Sequence, residues 1–204
     1  MNFKMIFNTT GRVLKTEAAM LALPLLVSVI YKETCAWGFL AAIAVALALG
    51  FALTLAFRPD DRRIYTKEGL VTVALIWMSV SAIGALPFVI SGDIPNYVDA
   101  LFETISGFTT TGASIVTDVE SLGKGILFWR SFTHWIGGMG VLVFVMAVTS
   151  KTTDRSIHLL RAEMPGQEVD KIVPRAKDTA LILYVIYTVM TAVLVVMLLF
   201  GGPD

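Results

Sequence analysis

Cysteine, histidine and charge are all scarce in this sequence. Cys35 is its single cysteine, and His134 and His158 are its two histidines. One thiol excludes an internal disulfide and a cysteine metal cluster, and is compatible with a bacterial inner membrane as with other compartments. Charged residues fill 16% of the 204 positions, against about 25% in a soluble globular domain. That shortfall excludes a soluble domain. No glycine-rich phosphate loop follows a strand, so no nucleotide site is expected within the chain. Sixteen basic residues balance sixteen acidic ones. The zero total is silent on partners, no nucleic-acid partner is expected, and the information lies in where the charges sit.

Apolar sequence fills the space that charge leaves. The chain is 56% hydrophobic with a mean hydropathy of +0.75, which makes it an integral membrane protein. A hydrocarbon core of about 30 Å takes about 20 helical residues, and five segments reach or approach that length: 14–31, 36–57, 69–91, 125–149 and 179–200. Pro24 and Pro87 fall in or at the end of spans, where neighbouring helices can satisfy the freed carbonyls. The first span lacks a small-x-small cleavage site and is followed at once by the second, so a retained helical hairpin fits better than a signal peptide.

Basic residues set the orientation. Lys4, Arg12 and Lys15 precede the first span; Arg58, Arg62, Arg63 and Lys67 fill the second connection; Lys151, Arg155, Arg161, Lys171, Arg175 and Lys177 precede the last span. Only Lys32 and Lys124 fall on the other side. The positive-inside rule then predicts a cytoplasmic N-terminus, and parity holds only if 92–124 leaves and returns on the outer side.

That segment contains FETISGFTTTGASI, residues 102–115. Val98, Leu101, Phe102 and Ile105 recur at helical spacing over 97–106, a helix too short to span. A threonine run and glycine follow, so a re-entrant loop lining a cavity is predicted. Irregular backbone offers a carbonyl per residue with which to replace a cation's hydration shell, and Gly112 gives the backbone freedom to aim them. The C-terminal end of the short helix, near Ser106 and Gly107, adds a partial negative charge. The alternative is an ordinary Ser/Thr turn on the outer surface.

LFETISGFTTTGASI (101–115) and FWRSFTHWIGGMGVLVF (128–144) together resemble the first repeat of the Trk/Ktr/HKT potassium-transporter superfamily. The hairpin ahead of them is similar to the additional N-terminal pair of its TrkH-type members. The resemblance implies an all-α polytopic membrane protein: a two-helix hairpin (1–67), a helix, re-entrant pore loop and helix repeat (68–150), a cytoplasmic connection (151–177), and the first helix of a second, incomplete repeat (178–204). It implies potassium as the transported ion, with Thr110 and Thr111 coordinating it and Thr109, Gly112 and Ala113 completing one of four filter strands through their carbonyls. No other cofactor and no enzymatic activity are expected. The implied partners are the lipid bilayer, a TrkA-type cytosolic nucleotide-binding regulatory subunit and, for a complete protein, a second copy. Family members are more than twice as long, so the chain by itself is expected not to enclose a pore or to transport. Passive conduction and proton- or sodium-coupled symport stay open.

Other residues are read both ways. Arg130 lies inside the fourth span, where a charge needs a partner; Glu103 is that partner if the pair braces the filter, and otherwise Arg130 snorkels to the headgroups. Ser131 and His134 are weighed as an intramembrane hydrolase site against simple packing, with His158 badly placed to help. Gly137, Gly138 and Gly140 suit close packing or a hinge. Trp37 and Trp129 are read as interface residues, and Cys35 as a thiol labelled from outside. A non-conducting membrane scaffold is the competing class.

Overall fold

The structure is a computed structural model that describes residues 2–59, 66–140 and 176–201. All regular structure among them is helical. Residues 1–137 form one compact unit and 138–204 another.

In the first unit, α1 (Phe3–Ile30) starts eleven residues earlier than hydropathy predicts. Asn2 caps it by accepting from the Met5 N–H at 3.1 Å, and its first half buries Ile6, Asn8 and Thr10. The polar residues there mask a helix that packing sustains. Helix α2 (Ala36–Ala56) returns alongside. The Asn8 side-chain amide donates to the carbonyls of Thr54 and Phe57 at 3.2 and 2.9 Å, satisfying groups left without partners where α2 ends.

The third predicted span is two helices, α3 (Thr66–Gly84) and α4 (Leu86–Ser91). Pro87 lacks the N–H that would continue the ladder, and the chain restarts one residue later. Helix α5 (Tyr97–Phe108) is capped by Asn96, whose side chain accepts from the Val98 N–H at 3.0 Å. At 1.5 Å per residue its twelve residues reach roughly 18 Å, too little to cross a bilayer. Helix α6 begins at 124 and is described to 140; the remainder of the predicted fourth span, 141–149, lies outside the described residues.

Three contacts fix which helix ends lie together. The Asn2 N–H donates to Glu68 Oε1 at 2.5 Å, so α1 and α3 start at one end. The carboxylate of Glu33, between α1 and α2, accepts from the Lys124 and Gly125 N–H groups at 2.6 and 2.9 Å, so α6 starts at the other end. There Gly38, near the start of α2, lies against Pro87 of α4. The chain therefore arrives at this end through α4 and leaves it through α6.

Phe39, Phe88, Phe108 and Trp129 are among the largest fully buried side chains. Trp129 corrects the interface reading. Its indole N–H donates to the Gly84 carbonyl at 2.9 Å, beside the α3–α4 break, and so finds inside the unit the partner that a headgroup would otherwise provide. Trp37 is 73% exposed. Cys35 is buried, and its thiol lies 3.1 Å from Ser28 Oγ. Burial above all, with Glu33 adding to it, holds that thiol above its ordinary value, although the Ser28 hydrogen bond works the other way. Ready labelling is not expected.

In the second unit, α7 (Ala176–Phe200) is apolar and long enough to span. The connection from 150 to 175, with His158, lies outside the described residues, as do Arg62 and Arg63.

Candidate functional site

The site is the end of α5 and the loop after it. Helices commonly end when a residue adopts the left-handed conformation and turns its amide back on the last carbonyls. Glycine usually takes that place. Here Thr110 does, with φ of 58°: its N–H reaches the Gly107 carbonyl and the Thr111 N–H the Ser106 carbonyl, both at 2.9 Å. A β-branched residue in this region is a strained exception. Two residues on, Gly112 has φ of 76°, and a Cβ on it would meet nothing within 4 Å among the described residues.

This cap relocates the acceptors. The carbonyls of Ile105, Ser106 and Gly107 take the N–H groups of Thr109, Thr111 and Thr110, so the end of α5 does not present free oxygens near Ser106 and Gly107. The carbonyls of Thr109, Thr110, Thr111 and Gly112 accept no hydrogen bond among the described residues. Ala113 differs from these four, since its carbonyl takes the Ser106 hydroxyl at 2.5 Å. Residues 109–113 are all exposed, whereas Ser106, Gly107 and Phe108 behind them are buried. The Thr109 hydroxyl bonds to the Ile105 carbonyl at 2.7 Å and pairs with the Thr111 hydroxyl at 2.8 Å.

Glu103 is the hub beneath the loop. Its side chain is 1% exposed and meets Arg130 Nε at 2.5 Å. The same carboxylate accepts from the Ser114 hydroxyl at 3.1 and 3.0 Å and from the Ile115 N–H at 3.2 Å. A buried carboxylate needs both a counter-charge and hydrogen bonds, and this one has them. The structure thus brings Glu103 and Arg130 together, and it adds Ser114 and Ile115, which sequence reasoning missed. A serine eleven positions after a glutamate carries no periodic signal.

Depth along α6 follows from helical rise. Arg130, Thr133 and Gly137 lie roughly 9, 14 and 20 Å from its start at 1.5 Å per residue. A Cβ on Gly107 would collide with Thr133, and one on Gly137 would collide with the Phe108 carbonyl. The end of α5 therefore sits level with residues 133–137 of α6, roughly 14–20 Å from its start. Phe108 is wedged between Trp77 and Trp129, with ring centroids 6.2 and 6.0 Å apart.

His134 is engaged elsewhere: its Nδ1 lies 3.0 Å from the Arg130 carbonyl, while Ser131 is exposed. The two form no nucleophile–base pair among the described residues. Glu17, in the middle of α1, was not singled out by sequence. It is 4% exposed and neither carboxylate oxygen has a hydrogen-bond partner among the described residues. An acidic residue inside an apolar span was the available signal.

The family profile TrkH, described as cation transport protein, matches residues 37–201. The chain is similar to the Trk system potassium uptake protein TrkH of Escherichia coli K12, 36% identical over 207 residues that cover 100% of this chain and 43% of that protein. It is 34% identical to the Trk system potassium uptake protein TrkH of Vibrio parahaemolyticus over 194 residues, 94% of this chain and 40% of that one. The crystal structure of the potassium transporter TrkH from Vibrio parahaemolyticus matches with a TM-score of 0.81 at 29% identity, covering 100% of this chain and 41% of the other. The chain spans about two fifths of the length of these relatives.

Proposed function

This chain belongs to the TrkH family of cation transport proteins, and from that premise we propose that its residues 109–113 supply one of four filter strands in a potassium uptake pathway. One observation carries the reading. Four consecutive carbonyls, Thr109 to Gly112, lack hydrogen-bond partners among the described residues, in the loop that leaves the end of α5 where it lies against residues 133–137 of α6. Backbone of this kind is tolerated at membrane depth where protein buries it or water reaches it, and a dehydrated cation is the ligand that such oxygens suit.

Each residue has a role in this account. Thr110 and Thr111 coordinate K⁺, and Thr109 and Gly112 continue the column. Ala113 closes it, with one lone pair of its carbonyl held by Ser106. Glu103 and Arg130 brace the far end of the strand through Ser114 and Ile115. The loop is re-entrant, entering and leaving on the outer side, within a helix, pore loop and helix repeat (68–150) that follows a two-helix hairpin (1–67) and precedes a cytoplasmic connection (151–177) and the first helix of a second repeat (178–204). The N-terminus is cytoplasmic in a bacterial inner membrane; a Thr34→Cys variant should be labelled by an impermeant thiol reagent from outside, and labelling from the cytoplasm alone would reverse the topology. A TrkA-type regulatory subunit and a second copy of the complete transporter follow from family resemblance, and failure of both to co-purify with it would remove them.

The function is tested by growth. A complete transporter carrying this segment should rescue a potassium-uptake-deficient strain at low external K⁺, and Gly112→Ser should weaken that rescue. Unchanged rescue by the variant would sink the filter assignment.

A further inference from the structure

The turn between α1 and α2 repeats, at the opposite end of the hairpin from Asn2, the device that ends α5. Lys32 takes the left-handed conformation with φ of 55°; its N–H reaches the Val29 carbonyl at 3.1 Å and the Glu33 N–H the Ser28 carbonyl at 2.9 Å. The turn aims Glu33 at the start of α6. The carboxylate takes the Lys124 N–H on Oε1 and the Gly125 N–H on Oε2, two donors for which a helix has no internal partner. A negative group there also meets the positive end of the helix dipole. Side chains leave no slack at this junction: a Cβ on Gly125 would collide with Ser28, and one on Gly123 would come within 3.2 Å of Glu33 Oε2.

From that first turn, α6 runs to Arg130, whose Nε bonds to Glu103, whose carboxylate in turn holds Ser114 and the Ile115 N–H. We infer that Glu33 is a positioning residue for the filter strand: by fixing the first turn of α6 it sets where Arg130 holds Glu103, and so where the Ser114–Ile115 end of the loop sits. The inference rests on the filter reading and assigns a task in it to the N-terminal hairpin. Each link is a charged or backbone hydrogen bond between groups that cannot shift independently, since α6 is continuous between residues 124 and 130.

The test uses a complete transporter in proteoliposomes, with rubidium uptake measured against sodium competition. Glu33→Gln removes the charge and one acceptor, and is expected to lower potassium-over-sodium preference at least about fivefold, the lower end of usual inter-site coupling, at comparable membrane abundance. Glu33→Asp, which reaches one donor, should fall between. Lys124→Pro deletes a donor at a first helical position that tolerates proline, and should act in the same direction. The Glu33→Gln, Glu103→Gln double variant should be no less selective than Glu103→Gln alone. Unchanged selectivity, uptake that falls only in proportion to abundance, or effects of the two glutamates that multiply would overturn the inference. So would loss of both Glu33→Gln and Lys124→Pro from the membrane, which would make the contact one of folding alone. Wild-type protein that fails to prefer potassium would refute the filter reading itself, a separate result.

Discussion

Thr110 and Glu17 hold a conformation and an environment that cost stability, and each makes a prediction. Thr110 occupies the left-handed region that costs a β-branched residue about 1–2 kcal/mol. Glycine would relieve this strain but gain about 0.5–1 kcal/mol of unfolded-chain freedom. Thr110→Gly should therefore raise thermal stability by about 1 kcal/mol or less, and a lower melting temperature would mean that the threonine side chain stabilises the loop more than the strain costs. Glu17 buries two acceptor oxygens with no partner among the described residues. Leaving such groups unmade costs about 1–3 kcal/mol, so Glu17→Leu should stabilise the protein in detergent, and destabilisation would reveal a partner beyond these residues. The sequence made the positive φ of Gly112 legible, because glycine is the residue that such a turn asks for. It hid Thr110, because nothing in a threonine run marks which member is left-handed.

Among the elements, the junction between the α1–α2 turn and α6 is pH-sensitive. Burial pushes the Glu33 carboxyl up, but the Gly125 and Lys124 N–H groups, the Cys35 thiol and the Lys124 charge more than offset it, and the group sits below its ordinary value of 4.5. Asp93 is the further acidic group near this cluster, through its effect on Cys35. The unfolded chain then takes up the proton at a higher pH than the folded one. Stability from this contact is complete above the ordinary value and is lost as pH falls through the folded value. Thermal melts from pH 6 downward should thus show wild type losing, below about pH 4.5, an increment that Glu33→Gln lacks; parallel curves would contradict the cap. Hydropathy identified the spans but not this junction, nor the early start of α1, because Asn8 and Thr10 read as polar while packing holds them in a helix. The α3–α4 break was in reach through Pro87, whereas the burial of Trp129 depended on a carbonyl freed by that break.

At the scale of the molecule, helix, half-length helix, loop and helix set the exposed residues 109–113 after a helix end that lies level with residues 133–137 of α6, and fasten the far end of the loop to the buried Glu103 and its half-buried partner Arg130. The short amphipathic helix and the threonine run after it were legible in sequence as helix α5 and the loop that follows. The Glu103–Arg130 pairing was in reach as well, since a charge in a span needs a partner. The bonds from Glu103 to Ser114 and Ile115 were not, because they depend on how the loop folds back. Substitution at Gly112 isolates the central claim. A serine Cβ there would meet nothing within 4 Å among the described residues, so within this chain the variant changes backbone preference without a steric clash. The decisive measurement is the potassium-to-sodium permeability ratio of a complete transporter in proteoliposomes, wild type against Gly112→Ser. A strain of about 1–2 kcal/mol displaced into the strand should lower the ratio about tenfold in protein that assembles normally. An unchanged ratio would contradict the assignment of residues 109–113 to the filter.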